Sequence, residues 1–100
     1  MSYRYIFHEH AQQDYEQSLE WYTKRSVDAA EKFVVGIDNA LELICGNPKR
    51  WRNKYKNFHE IRLKKYPFTI IYAIEIDKDL VVIFSVYHHK RNPKGKYRKI

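Results

Sequence analysis

The run FHEIRLKKYPFTIIYAIEIDKDLVVIFSVY, residues 58–87, holds three apolar segments separated by two polar connections. In the first (58–65), Ile61 and Leu63 alternate with Glu60, Arg62 and Lys64, the period of a strand with one wet face. The second (68–76) is almost wholly apolar and rich in β-branched residues, as a central strand covered on both faces would be. Asp77-Lys78-Asp79 then turns the chain into a third segment (80–87) of the same character. Consecutive strands on short connections predict an antiparallel meander.

Upstream of this run the period changes. Ala11, Tyr15, Leu19 and Tyr22 recur every three or four residues within 9–25, with Gln12, Gln13, Glu16 and Gln17 filling the other side of a helix. Ser26 reads as the N-cap of a second helix, with Asp28 and Glu31 where negative charge suits the dipole. Its stripe is Ala30, Phe33, Val34, Ile37, Leu41 and Ile44, and Gly46-Asn47-Pro48 ends it, Gly46 being suited to a left-handed cap. So short a connection folds the two helices into an antiparallel hairpin. Mid-helix Gly36 is read as a close approach between them. Residues 3–8 alternate as a first strand with apolar residues on both faces, predicting a place inside a packed layer. The expectation is one α+β domain over residues 1–100, β-α-α-β-β-β. Its antiparallel sheet is packed on one face by the helical hairpin, and a basic tail begins at about residue 89.

With 100 residues there is room for a single core. No apolar run approaches the roughly 20 residues of a membrane span. One cysteine, Cys45, leaves no internal disulfide and fits a reducing compartment, so a cytoplasmic protein is expected without membrane association. The net charge of +7 is polarised: residues 1–48 carry 4 Lys or Arg against 8 Asp or Glu, residues 49–100 carry 15 against 4. Such a half is an electrostatic footprint for phosphates or an acidic protein. Lys49, Arg50, Arg52, Lys54, Lys64, Lys65, Lys90 and Arg91 are its candidate binding residues, interleaved with Trp51, Tyr55 and Tyr66 on which bases can stack.

His8, His10 and Asp14 have helical spacing, but no further ligand type joins them, so no metal and no cofactor is expected. Cys45 lies on the apolar side of its helix and reads as a core residue. A metal-free ribonuclease would need a base for the ribose 2′-OH, cations for the phosphorane-like transition state and an acid for the leaving oxygen. His88 and His89 qualify as acid or base, Arg62 and Arg91 as stabilisers, and Tyr97 as acid or stacking platform.

Element order and several strings resemble the RelE/ParE superfamily of bacterial toxin–antitoxin toxins. The likeness rests on LEWY (19–22), Asn47-Pro48, HEIRLKKYPFTIIY (59–72) and VYHHKRNP (86–93), the last similar to the His-x-x-Arg-Asn-Pro ending of a ParE-like branch. It implies a growth-inhibiting toxin, of the kind associated with plasmid stabilisation, neutralised by a cognate antitoxin. ParE-like members inhibit DNA gyrase; RelE-like members cleave mRNA on the ribosome. On the RelE-like pattern Arg62, His88, His89 and Tyr97 would be catalytic, whereas Thr69 stands where those enzymes carry a cation. ParE-like inhibition is therefore the leading expectation, a ribosome-dependent mRNA endonuclease the second, and a non-toxic nucleic-acid-binding module the third.

Overall fold

The computed structural model describes residues 3–89. Strand β1 (Arg4–Phe7) leads into helices α1 (Glu9–Arg25) and α2 (Val27–Gly46); a 3-10 turn (Pro48–Arg50) precedes β2 (Asn53–Tyr55), β3 (Phe58–Arg62), β4 (Phe68–Glu75) and β5 (Leu80–His88). The five strands form one sheet in the order β1-β5-β4-β3-β2.

The meander is present. Ile61 pairs with Ile70, and Ile70 with Val86, in antiparallel register across β3, β4 and β5. Alternation puts Ile61, Phe68, Ile70, Tyr72, Ile83 and Val86 on the face that meets Phe33, Ile37, Leu41 and Ile44 of α2 and Ala11 of α1, and these form the core. Tyr22 and Phe33 stack at 5.1 Å between ring centroids, tying the two helices together. Ser26 serves both helices: its backbone N–H donates to the Tyr22 carbonyl, and its hydroxyl accepts from Ala29 N at 3.2 Å.

Several expectations give way. β1 is an edge strand, parallel to β5 from Arg4↔Leu80 to Phe7↔Ile83, so the sheet is mixed. Tyr5 and Ile6 are 46% and 51% exposed, because only one flank of β1 has a neighbour. The basic stretch 49–56 is not all loop: β2 pairs with β3 through an irregular register, and Lys56 turns the hairpin at φ 49°. β3 stops at Arg62 rather than residue 65, where Leu63 N donates to the Phe68 carbonyl and closes the connection to β4. Gly46 is the last residue of α2 and has no positive φ, with Asn47 as its cap. Gly36 makes room for the Tyr66 ring, which lies 3.3 Å from where its Cβ would be, and not for α1.

Candidate functional site

The face of the sheet away from the helices carries the strongest chemistry. At its upper end Arg62, Thr69 and Tyr87 stand side by side across β3, β4 and β5. Directly opposed Cβ atoms in such rows are about 5 Å apart. Arg62 is exposed, whereas Thr69 and Tyr87 are buried. The chain past β5 turns back over this row: His89 N donates to the Pro67 carbonyl at 2.9 Å, and His89 Nε2 lies 2.8 Å from the Thr69 hydroxyl. Guanidinium, hydroxyl, phenol and imidazole thus share one patch, able to hold an anion and to give or take a proton. Lower on the same face the row is apolar: Ile6, Val82, Ala73 and Phe58 are in register from β1 to β3. Phe84, the unpaired residue at a bulge in β5, sets its ring against Phe58 at 5.0 Å and His8 at 5.1 Å.

The two adjacent histidines part company. His88 is in register with Phe68 and meets that ring edge-on at 4.9 Å, on the helix side of the sheet. His89 joins Arg62; His88 does not. Thr69, noted in the sequence only for lacking a charge, is the residue that fixes His89; its signal was a lone hydroxyl in an aliphatic strand. Tyr97, Lys90 and Arg91 lie outside the described residues.

Of the remaining cations, Arg50, Lys64 and Lys65 line a second feature. Lys49 and Arg50 are exposed in the 3-10 turn, Arg52 just before β2, Lys54 is in β2, and Lys64 and Lys65 are exposed in the β3–β4 connection. The basic segment is pinned to the core by polar contacts absent from the reading of the sequence. Tyr72 Oη donates to the Pro48 carbonyl at 2.6 Å, His59 Nδ1 lies 2.9 Å from the Trp51 carbonyl, and the His59 ring stacks on Tyr72. Between this segment, the β3 edge and α2 runs a groove of about 750 Å³. Val35 and Leu43 of α2 line it and are 55% and 54% exposed, and Trp51, Ile61, Leu63 and Tyr66 supply apolar surface opposite. Arg50, Arg62, Lys64 and Lys65 stand at its sheet side. The signal missed here was that Val35 and Leu43 fall off the core stripe of α2.

Among the described residues no three His, Cys, Asp or Glu side chains are grouped to hold a metal, and no helix is long and apolar enough to cross a membrane. His8 instead caps α1, its Nδ1 accepting from His10 N at 3.2 Å. Asp14 accepts from Ser85 Oγ at 2.9 Å and from Val86 N at 3.2 Å. Burial pushes the Cys45 thiol up from its ordinary value, which suits a core residue and not a nucleophile.

The family model for the ParE toxin of the type II toxin–antitoxin system parDE matches residues 5–93. No curated protein matches the sequence. Among solved structures, the chain is similar to one of the chromosomal ParDE system from P. aeruginosa, with a TM-score of 0.71 at 12% identity over 87% of this chain and 96% of that one. It is similar to a chain of the intact E. coli RelBE toxin–antitoxin complex, with a TM-score of 0.62 at 17% identity over 90% and 100%. Isolated E. coli RelE toxin gives 0.62 at 16% identity over 99% and 100%. At these identities the structural likeness is one of fold.

Proposed function

The chain belongs to the ParE toxin family of type II toxin–antitoxin systems, and on that premise we propose that it arrests growth by binding an essential macromolecule, DNA gyrase in the ParE manner, until a cognate antitoxin neutralises it. The observation that carries this reading is the family match over residues 5–93, nearly the whole chain. Thr69 agrees with it: the middle of the open-face row holds a buried hydroxyl bonded to His89, not a second cation for a charged transition state. In this reading Arg62, Tyr87 and His89 form a binding surface, extended by Lys64 and Lys65.

One observation favours ribosome-linked mRNA cleavage as a second reading. Arg62 is in register with Thr69, whose hydroxyl meets His89, so one cation and one proton-transfer group of the parts a metal-free ribonuclease needs share this row. Pulse-labelling of protein and DNA synthesis after brief induction separates the two. DNA synthesis stopping first, with a DNA-damage response, is the expected result. Translation stopping first, with transcripts cut on ribosomes, would overturn it in favour of the nuclease, and Arg62→Ala with His89→Ala should then abolish cutting. Normal growth with soluble, intact protein would count against any toxin.

A further inference from the structure

The two edges of the sheet are unlike. β2, at one edge, pairs with β3 in irregular register, Lys56 turns it at φ 49°, and its sequence brings Arg52, Lys54 and Lys56 together. Irregularity and cations of this kind keep other strands from adding to an edge. β1, at the other, runs in unbroken register with β5 and carries one charge, Arg4, at its start. Tyr5 and Ile6, on its two faces, are 46% and 51% exposed. Its backbone groups divide by parity. Arg4 N donates to the Asp79 carbonyl and His8 N to the Ile83 carbonyl, so the even-numbered residues serve β5. The odd-numbered ones point outward: Tyr3 N donates to the Cys45 carbonyl of α2, and the Tyr5 and Phe7 backbones form no hydrogen bond with a described residue.

We propose that β1 pairs with β1 of a second copy of this chain, antiparallel and centred on Ile6, joining the two sheets into one. The register follows from the groups left over. Centred on Ile6, Tyr5 stands opposite Phe7 of the second copy and each donates to the other's carbonyl, which uses every outward group of both residues. Centred on Tyr5, the pairing would call on Tyr3 N–H, which the Cys45 carbonyl already holds. The side chains agree. On the helix side Tyr5 gains the Phe7 ring of the second copy, an aromatic cross-strand pair beside its own Phe7 at 5.9 Å. On the open side Ile6 meets Ile6, and the apolar row Ile6, Val82, Ala73 and Phe58 continues into the second copy. Arg4 comes opposite His8 and not opposite a second Arg4. The contact is self-complementary and closes on a two-fold axis, so it ends at a dimer. Both Thr69–His89 patches then face the same side of the joined sheet, and one target can meet two of them. β1 is only 4 residues long, so the interface is small and the dissociation constant is on the order of 10 μM.

The test is analytical ultracentrifugation of the full chain, which should show a monomer–dimer equilibrium that depends on concentration. Ile6→Lys sets like charges directly across the two-fold at a half-exposed side chain, and should weaken the dimer about tenfold or more. Val35→Lys is the control, since Val35 is 55% exposed on α2 beside the groove. Far-UV circular dichroism and thermal melting check that both variants keep the fold. Cross-linking reads the register. Opposed residues that exchange no hydrogen bond stand about 4.5 Å apart at Cα, within reach of a disulfide. Ile6→Cys should therefore link two copies under mild oxidation and Tyr5→Cys should not, while native Cys45 is buried and should link neither. A chain that stays monomeric at every concentration overturns the proposal, as does a dimer that survives Ile6→Lys or is lost equally in Val35→Lys. Linkage through Tyr5→Cys in place of Ile6→Cys overturns the pairing centred on Ile6. All of these outcomes leave the toxin–antitoxin reading standing, because the pairing of β1 draws on nothing in it.

Discussion

Tyr72 shows how much one hydroxyl can organise. It has no exposure, sits in the middle of β4, and donates across 24 residues of sequence to the Pro48 carbonyl. Tyr72→Phe keeps the ring and leaves that buried acceptor without its donor, which costs about 1–2 kcal/mol. Burial also raises the Tyr72 pKa above its ordinary value near 10. The folded state therefore holds this proton more tightly than the unfolded state. The stability tied to it is fully present below pH about 10 and is lost as pH rises from there towards the folded-state pKa. Denaturant midpoints followed from pH 8 to 11 should show the native chain losing stability more steeply above pH 10 than Tyr72→Phe. A residual slope should remain in the variant, because burial raises Tyr15 and Tyr22 in the same direction. Parallel slopes would mean that Tyr72 does not govern the alkaline limb. None of this was readable from residues 68–76, where a tyrosine among isoleucines counts simply as apolar. The chemistry of Arg62 was readable, since alternation alone puts it on the wet face. The division of His88 from His89 follows only once the register of β5 is known.

At the scale of elements, the sequence was most legible where local rules act alone. The bounds of α1 and the Ser26 cap follow from periodicity and a single hydroxyl. It was least legible where tertiary pairing decides. β2 is three residues of a cationic stretch with no alternation to betray them, and they are a strand because β3 offers an edge. β1 carries apolar residues on both faces whether it is central or peripheral; its edge place follows from pairing with β5 alone. That pairing leaves a problem that α1 solves. β1 matches β5 only from Leu80 to Ile83, yet β5 continues to His88. Over the unpaired part Asp14 acts in place of a strand, its carboxylate taking Ser85 Oγ and Val86 N. Asp14→Ala removes the acceptor of a partly buried N–H and hydroxyl at once, and we expect a loss of about 2–3 kcal/mol in denaturant melts. Asp14→Asn, which keeps one amide oxygen to accept, should recover part of that. Amide exchange at Val86 should quicken in the alanine variant before exchange at Ile70 does. Uniform quickening would make Asp14 a contributor to global stability and not the local cap of this edge.

At the scale of the whole molecule, the charge is less evenly spread than the division into halves implied. Residues 90–100 contain six Lys or Arg and no acid, so six of the seven net positive charges follow His89. The sheet and helices are close to neutral in sum, with cations gathered locally beside the groove and the open face. Two kinds of attraction are therefore separable. A polyanion should respond to the terminal cations through counterion release, with a steep dependence on salt. A chain ending at His89 should leave a heparin or DNA column at distinctly lower salt than the full chain. An antitoxin that also covers apolar surface, such as the exposed Val35 and Leu43 beside the groove, should respond less steeply, because apolar contact is not screened and Debye screening over about 10 Å at 0.1 M weakens only exposed charge pairs. Removal of residues 90–100 should then shift column elution strongly while changing antitoxin affinity at 0.3 M salt less than tenfold. If both fall together, the terminal cations hold the antitoxin, and the exposed Val35 and Leu43 have to be explained by another occupant.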